Sequence, residues 1–166
     1  MARPVPIPPG PGQESVWDYP RPPRVEPTSD RIVVELGGVV VADTVAALRV
    51  LETSQPPAYY LPPGDIDLSL LRRSAAPPTT CEWKGVAAYV DVVVGDLVVA
   101  AAGWTYPEPW AGYEPIADHV AFYAQKMQRC SVAGDVVRPN EGDFYGGWVT
   151  SKVVGPFKGG PGSWGW

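Results

Sequence analysis

An all-β fold of antiparallel sheets is predicted by three features of this 166-residue chain. Short β-branched runs recur roughly every 8–12 residues, the spacing of strands joined by tight turns. Turn residues stand between them, drawn from 21 Pro and 18 Gly. No segment carries the apolar spacing of a long helix, and no strand–helix–strand unit can be drawn, which removes dinucleotide-fold and P-loop readings. At 17.8 kDa the chain is long enough to bury a core as one domain.

The elements follow in order. Residues 1–30 read as a Pro-rich arm, with Pro4, 6, 8, 9, 11, 20, 22, 23 and 27 ahead of the body. Each Pro fixes φ and biases its predecessor away from helix, so "ESVWDYPRPPRVEP" is expected to run extended. Trp17 and Tyr19 are its apolar anchors on the body; a Pro-rich ligand for another protein is the alternative. The body, residues 31–138, opens with "RIVVELGGVVVADT", two runs separated by Gly37-Gly38, a pair suited to the positive φ values of a two-residue hairpin. "LRVLET" and "AYYLP" supply two more strands, and "GDIDLSLLRRS" at most two helical turns. A second hairpin, "VAAYVDVVV" then "LVVAAAGW", turns at Gly95-Asp96. "EPIADHVAFY" and "QRCSVAGDVV" read as a short turn and two edge-like strands. Residues 139–166 form a Gly-rich tail with three of the seven Trp. Burying a large apolar side chain yields roughly 1.5–3 kcal/mol, so this tail should dock on the domain or on a second subunit, giving a route to a homodimer.

Composition excludes several functions. Net charge is −5, from 18 acids against 13 bases, and no basic cluster exceeds Arg72-Arg73. Nucleic-acid binding needs clustered phosphate-neutralising bases, and no nucleic-acid partner is expected. The longest apolar stretch, Val86 to Trp104, is broken by Asp91, Gly95 and Asp96, so no membrane span is expected. The N-terminus lacks the apolar core of a signal peptide, and the two Cys form no disulfide framework, so a cytoplasmic protein with reduced thiols is expected. No CxxC, HxxH or HxxxH is present, so no structural zinc is expected, and no cofactor is indicated.

Chemistry-bearing residues gather at strand ends, in "YYLPPGDI", "CEWKG", "GWTYPEP" and "DHVAFY". If these four stretches converge, Tyr60, Cys81, Lys84, Trp104, His119 and Tyr123 line one aromatic-walled hollow, the usual make-up of a small-ligand site. Lys84, between Trp83 and Gly85, is either a desolvated amine of lowered pKa able to act as a nucleophile, an ammonium holding an anion, or a stem lying over apolar surface. His119, the lone histidine, is a candidate acid/base or a hydrogen-bonded structural residue. Cys81 is either a nucleophile with His119 as base and Asp118 or Asp65 as orienter, or a small buried hydrophobe. Trp104 and Tyr106 share a face, as core or as a stacking surface for a flat ligand.

Taken together, "RVLETSQPPAYYLPPGDI", "CEWKGVAAYVDV", "AGWTYPEP" and "IADHVAFY" resemble, in order and spacing, the domain of unknown function 427 family, also labelled nucleotidyltransferase-like. The flanking "ESVWDYPRPPRVE" and "YGGWVTSKVVGPFKGGPGSWGW" look like the extensions of its actinobacterial members. The resemblance implies a small β-tent, or Mss4-like, domain of two antiparallel sheets meeting over an aromatic pocket. Many β-tent relatives hold zinc on two Cys pairs; lacking them, this chain must hold its apex by packing. The nucleotidyltransferase label gains little from the residues, since such chemistry uses paired acids for metal and a phosphate loop, and Asp65 with Asp67 offers only a close acid pair. Three expectations remain: a pocket for a small, anionic or planar ligand with Lys84 and His119 as polar contacts and Tyr60, Asp65, Trp104 and Tyr123 beside it; a transferase using Lys84 or Cys81 with His119; or a self-association module.

Overall fold

A computed structural model describes residues 3–142 and 144–166; the first two residues of the arm and Asp143 of the tail lie outside it. The strands in chain order are β1 (Glu14–Ser15), β2 (Arg24–Pro27), β3 (Ile32–Leu36), β4 (Val39–Thr44), β5 (Leu48–Leu51), β6 (Ala58–Tyr60), β7 (Leu71–Arg73) and β8 (Thr79–Cys81). They continue with β9 (Gly85–Val94), β10 (Leu97–Thr105), β11 (Val120–Phe122), β12 (Arg129–Val132), β13 (Asp135–Val136), β14 (Arg138–Pro139), β15 (Trp148–Val149) and β16 (Val153–Val154). Helical structure among the described residues is confined to single 3₁₀ turns. No helix among them is long and apolar enough to cross a membrane.

The architecture is mainly β and antiparallel. One sheet has the order β11-β10-β9-β7 with β8 also on β9, a second β13-β12-β3-β4, and a third β2-β5-β6. The β3–β4 hairpin turns at Gly37-Gly38, both in the left-handed region at φ 59° and 75°, where a Cβ is costly. The β9–β10 hairpin turns at Gly95-Asp96 and carries a bulge that sets Ala100–Ala102 opposite Asp91. Asp91 holds that bulge, accepting from the Ala101 amide at 2.9 Å and pairing with Arg72 at 3.3 Å.

Two strand assignments differ from the sequence reading. Extended pairing begins inside the arm, because β2 adds to β5 as an edge strand, where its terminal Pro27 interrupts no ladder. β12 is interior rather than an edge, paired on both sides by β3 and β13.

Period-two alternation decides what each strand contributes. On β9, Val90, Val92 and Val94 turn toward the principal core with Ile32, Val34 and Phe122, while Ala87 and Tyr89 face the other way. On β6, Tyr59 enters that core and stacks on Trp148 at 5.2 Å, while Tyr60 faces the opposite side. β11 divides likewise, Val120 and Phe122 against Ala121. A second apolar cluster therefore forms on the outer face of the β9–β10 sheet, rich in Tyr and Trp. A third joins the chain ends: Val16, Trp17 and Tyr19 pack with Leu51, Val153, Phe157 and Trp166. There β1 and β16 pair in parallel, and Trp17 Nε1 donates to the Pro156 carbonyl at 2.9 Å.

Candidate functional site

The second cluster leaves a cavity of about 640 Å³ between the β5–β6 hairpin and the outer face of β9–β10. That size falls within the range of roughly 300–1,000 Å³ common for small-ligand sites. Tyr60, Tyr89, Trp104, Tyr106 and Tyr123 wall it, and Val50, Ala58 and Ala87 supply small apolar surface. The turn after β8 brings Cys81, Glu82, Trp83 and Lys84 to its edge, and the tail contributes Phe144 to Gly147 and Lys158.

The alternation above explains the walls. Trp104 stands directly opposite Tyr89 across the β9–β10 ladder, so both project to one face. Trp104 Nε1 donates to the Tyr60 hydroxyl at 3.0 Å in a buried bond, with the rings edge-on at 6.1 Å. Tyr123 lies 4.7 Å from the Trp104 ring, and Tyr89 is tied to Thr79 by a 2.7 Å hydroxyl–hydroxyl bond. The tail closes over this wall. A Cβ on Gly146 would sit 2.2 Å from Trp104 Cη2, and one on Gly147 2.4 Å from the Pro56 carbonyl oxygen, so glycine alone admits the strap. Trp148 anchors it behind, donating through Nε1 to the Phe122 carbonyl at 2.9 Å.

Lys84 owes its position to Gly85. That residue has φ 115°, and a Cβ there would lie 3.2 Å from Trp110 Cδ1, so the turn tucks under the indole only as glycine. The Trp110 amide then donates to the Lys84 carbonyl at 3.0 Å. The ammonium stands 5.8 Å from the Tyr106 ring centroid and has no carboxylate within ion-pair distance among the described residues. Burial works against its charge, but Tyr60 and Cys81, with a smaller contribution from Glu52, hold its pKa above the ordinary lysine value. That direction runs toward an ammonium and against the lowered-pKa amine considered from the sequence. Burial pushes the Tyr60, Tyr106 and Tyr123 phenols up, so these walls are neutral hydroxyls.

Tyr60, Cys81, Lys84, Trp104 and Tyr123 therefore meet at one cavity, and His119 and Asp65 do not line it. His119 is half-buried in the turn before β11, its Nδ1 3.1 Å from the Ala117 carbonyl oxygen. Asp65 is exposed and accepts from the Thr44 hydroxyl at 2.7 Å, fastening the turn after β6 to β4. The Cys81–His119 couple is not assembled. Among the described residues no three His, Cys, Asp or Glu side chains gather as a metal site.

Sequence reasoning overlooked Tyr89, Tyr145 and Lys158. Tyr89 had a readable signal, since it shares the parity of Ala87 across from Trp104. Lys158 had none, because its arrival depends on a long-range bond from its amide to the Ser54 carbonyl at 2.8 Å. A search among curated proteins returned no match. The family model described as Domain of unknown function (DUF427) matches residues 24–133, from β2 to the turn after β12, and the chain belongs to that family.

Proposed function

We propose that this protein binds a small planar, anionic ligand in the cavity between β5–β6 and β9–β10. One observation carries the reading: the Lys84 ammonium stands in an aromatic-walled hollow, over Tyr106, with no carboxylate paired to it among the described residues. Trp104, Tyr106 and Tyr123 offer a flat ring aromatic surface to lie against at low conformational cost. The ammonium offers three donors to an anionic substituent. The transferase considered from the sequence pairs Lys84 or Cys81 with His119, and His119 does not line this hollow. The free thiols Cys81 and Cys130 suit a reducing, cytoplasmic setting.

Titration with 2-naphthoate, followed by tryptophan fluorescence, tests the proposal. Saturable quenching is expected in the natural sequence. Affinity should fall about 10- to 100-fold in Lys84→Met, the loss expected for a charge-assisted bond of about 1.5–3 kcal/mol. Absence of saturable quenching in the natural protein would overturn the reading.

A further inference from the structure

The cavity holds a second cation. Lys158 reaches it from the tail, outside the residues that match the family model. Its backbone is fixed on both sides: the amide donates to the Ser54 carbonyl at 2.8 Å, and its own carbonyl accepts from Asn140 Nδ2 at 2.7 Å. Its ammonium stands 5.3 Å from the Tyr145 ring centroid, as Lys84 stands over Tyr106. A ring face attracts a cation electrostatically but accepts none of its hydrogen bonds in the ordinary sense, so both heads keep donors to offer.

Two carboxylates also line the cavity, and their engagement sets the charge balance. Glu52 is taken up on the protein side, 3.7 Å from Arg21 Nε and accepting from Gln55 Nε2 at 2.9 Å. Glu82 is exposed. Neither lies within ion-pair distance of Lys84 or Lys158 among the described residues. With Arg21 answering Glu52, the two lysines outweigh the exposed Glu82 by one positive charge at the aromatic hollow.

We propose that the ligand is a planar ring bearing a phosphomonoester-type dianion, with Lys84 and Lys158 sharing its two charges and Lys158 setting the preference for dianion over monoanion. This rests on the pocket reading above and extends it to a ligand class. Aromatic walls select the flat part; one ammonium suffices for a carboxylate, and the second gains only when a second charge is present. The tail thereby becomes a determinant of specificity.

The full chain is titrated with 2-naphthyl phosphate and 2-naphthoate, which share a ring and differ in charge. The phosphate ester is expected to bind at least about tenfold more tightly at pH 7.5, each tenfold being about 1.4 kcal/mol. Lys158→Gln should collapse that preference, costing the phosphate ester at least about fivefold more affinity than it costs naphthoate. In the natural protein the preference should shrink as pH falls through about 6, where a phosphomonoester loses its second charge. This pH series needs no variant and tests the dianion preference even if Lys158→Gln folds poorly. Equal affinities with a flat pH profile would overturn the dianion assignment while leaving the planar pocket intact. Binding of neither compound would overturn both readings. Equal losses for both compounds in a folded Lys158→Gln protein would also overturn it, since Lys158 would then not be selective for the second charge.

Discussion

At the scale of single residues, the cavity wall is held by one polar bond inside an apolar surround. The Trp104 Nε1 proton is accepted by the Tyr60 hydroxyl oxygen, and both residues are buried. Tyr60→Phe keeps the ring and removes the acceptor, so the indole N–H stays buried and unpaired. A loss of about 1–3 kcal/mol is expected, measured by denaturant unfolding; an unchanged midpoint would mean that the bond is immaterial. Gly146 makes the complementary point through volume. A Cβ there meets Trp104 Cη2 and Cζ3 at 2.2 and 2.6 Å, and that ring is itself pinned by Tyr60. Gly146→Ala should therefore lift the strap or rotate the indole, at about 1–3 kcal/mol, the usual cost of overpacking. Tryptophan emission should shift with it, whereas Gly64→Ala, open on all sides, should leave emission unchanged.

At the scale of elements, β5 is the seam between arm and domain. Arg49 on β5 bonds both oxygens of Glu14 at 3.2 Å and also pairs with Glu26 on β2, and the Tyr19 hydroxyl donates to Glu14 at 2.7 Å. Burial alone would raise the Glu14 carboxyl, but Arg49 and Tyr19 together hold it below the ordinary value of 4.5. A carboxyl whose pKa is depressed by folding stabilises the folded state above its unfolded pKa and loses that contribution as pH falls through the folded one. Arm docking should accordingly weaken below pH 4.5 and not above it. Because the Glu14 side chain is 46% exposed, the pair contributes about 1 kcal/mol or less. The stability difference between the natural protein and Arg49→Met should be flat from pH 5 to 8 and shrink below 4.5. A difference that grows on acidification would contradict this. β5 was legible as a strand from "LRVLET", but its partner β2 was not. Pro20, Pro22, Pro23 and Pro27 mask a four-residue strand whose extended form comes from the ladder, not from its own propensity.

At the scale of the whole molecule, the alternation that was readable in sequence accounts for both the core and the cavity wall. Gly37-Gly38 and Gly95-Asp96 announced two hairpins, and alternation about Thr105 set Trp104 and Tyr106 on one face. Lys84 and Cys81 were legible for the same reason, standing one turn ahead of a long strand. His119 was misplaced beside them because proximity to β11 in sequence does not say which side chains reach the hollow. The two-residue strands β13 to β16 were illegible, being too short to display a period. They matter nonetheless. Trp148 begins β15, is 1% exposed, stacks on Tyr59 and bonds the Phe122 carbonyl, yet lies beyond residue 133, where the family match ends. The principal core of this chain is thus completed from outside the matched segment. Trp148→Ala should cost about 3–5 kcal/mol, as large aromatic truncations in cores do, and should lower the unfolding temperature steeply. Trp164 belongs to the same tail but is 56% exposed, touching Phe144 edge to face and Tyr145 at a tilt. Its truncation should change stability by less than about 1 kcal/mol, since little of its surface leaves water. Calorimetry on the two variants separates a tail that completes the core from one that merely lies upon it: comparable small losses from both would show that β15 is dispensable and the matched segment self-sufficient.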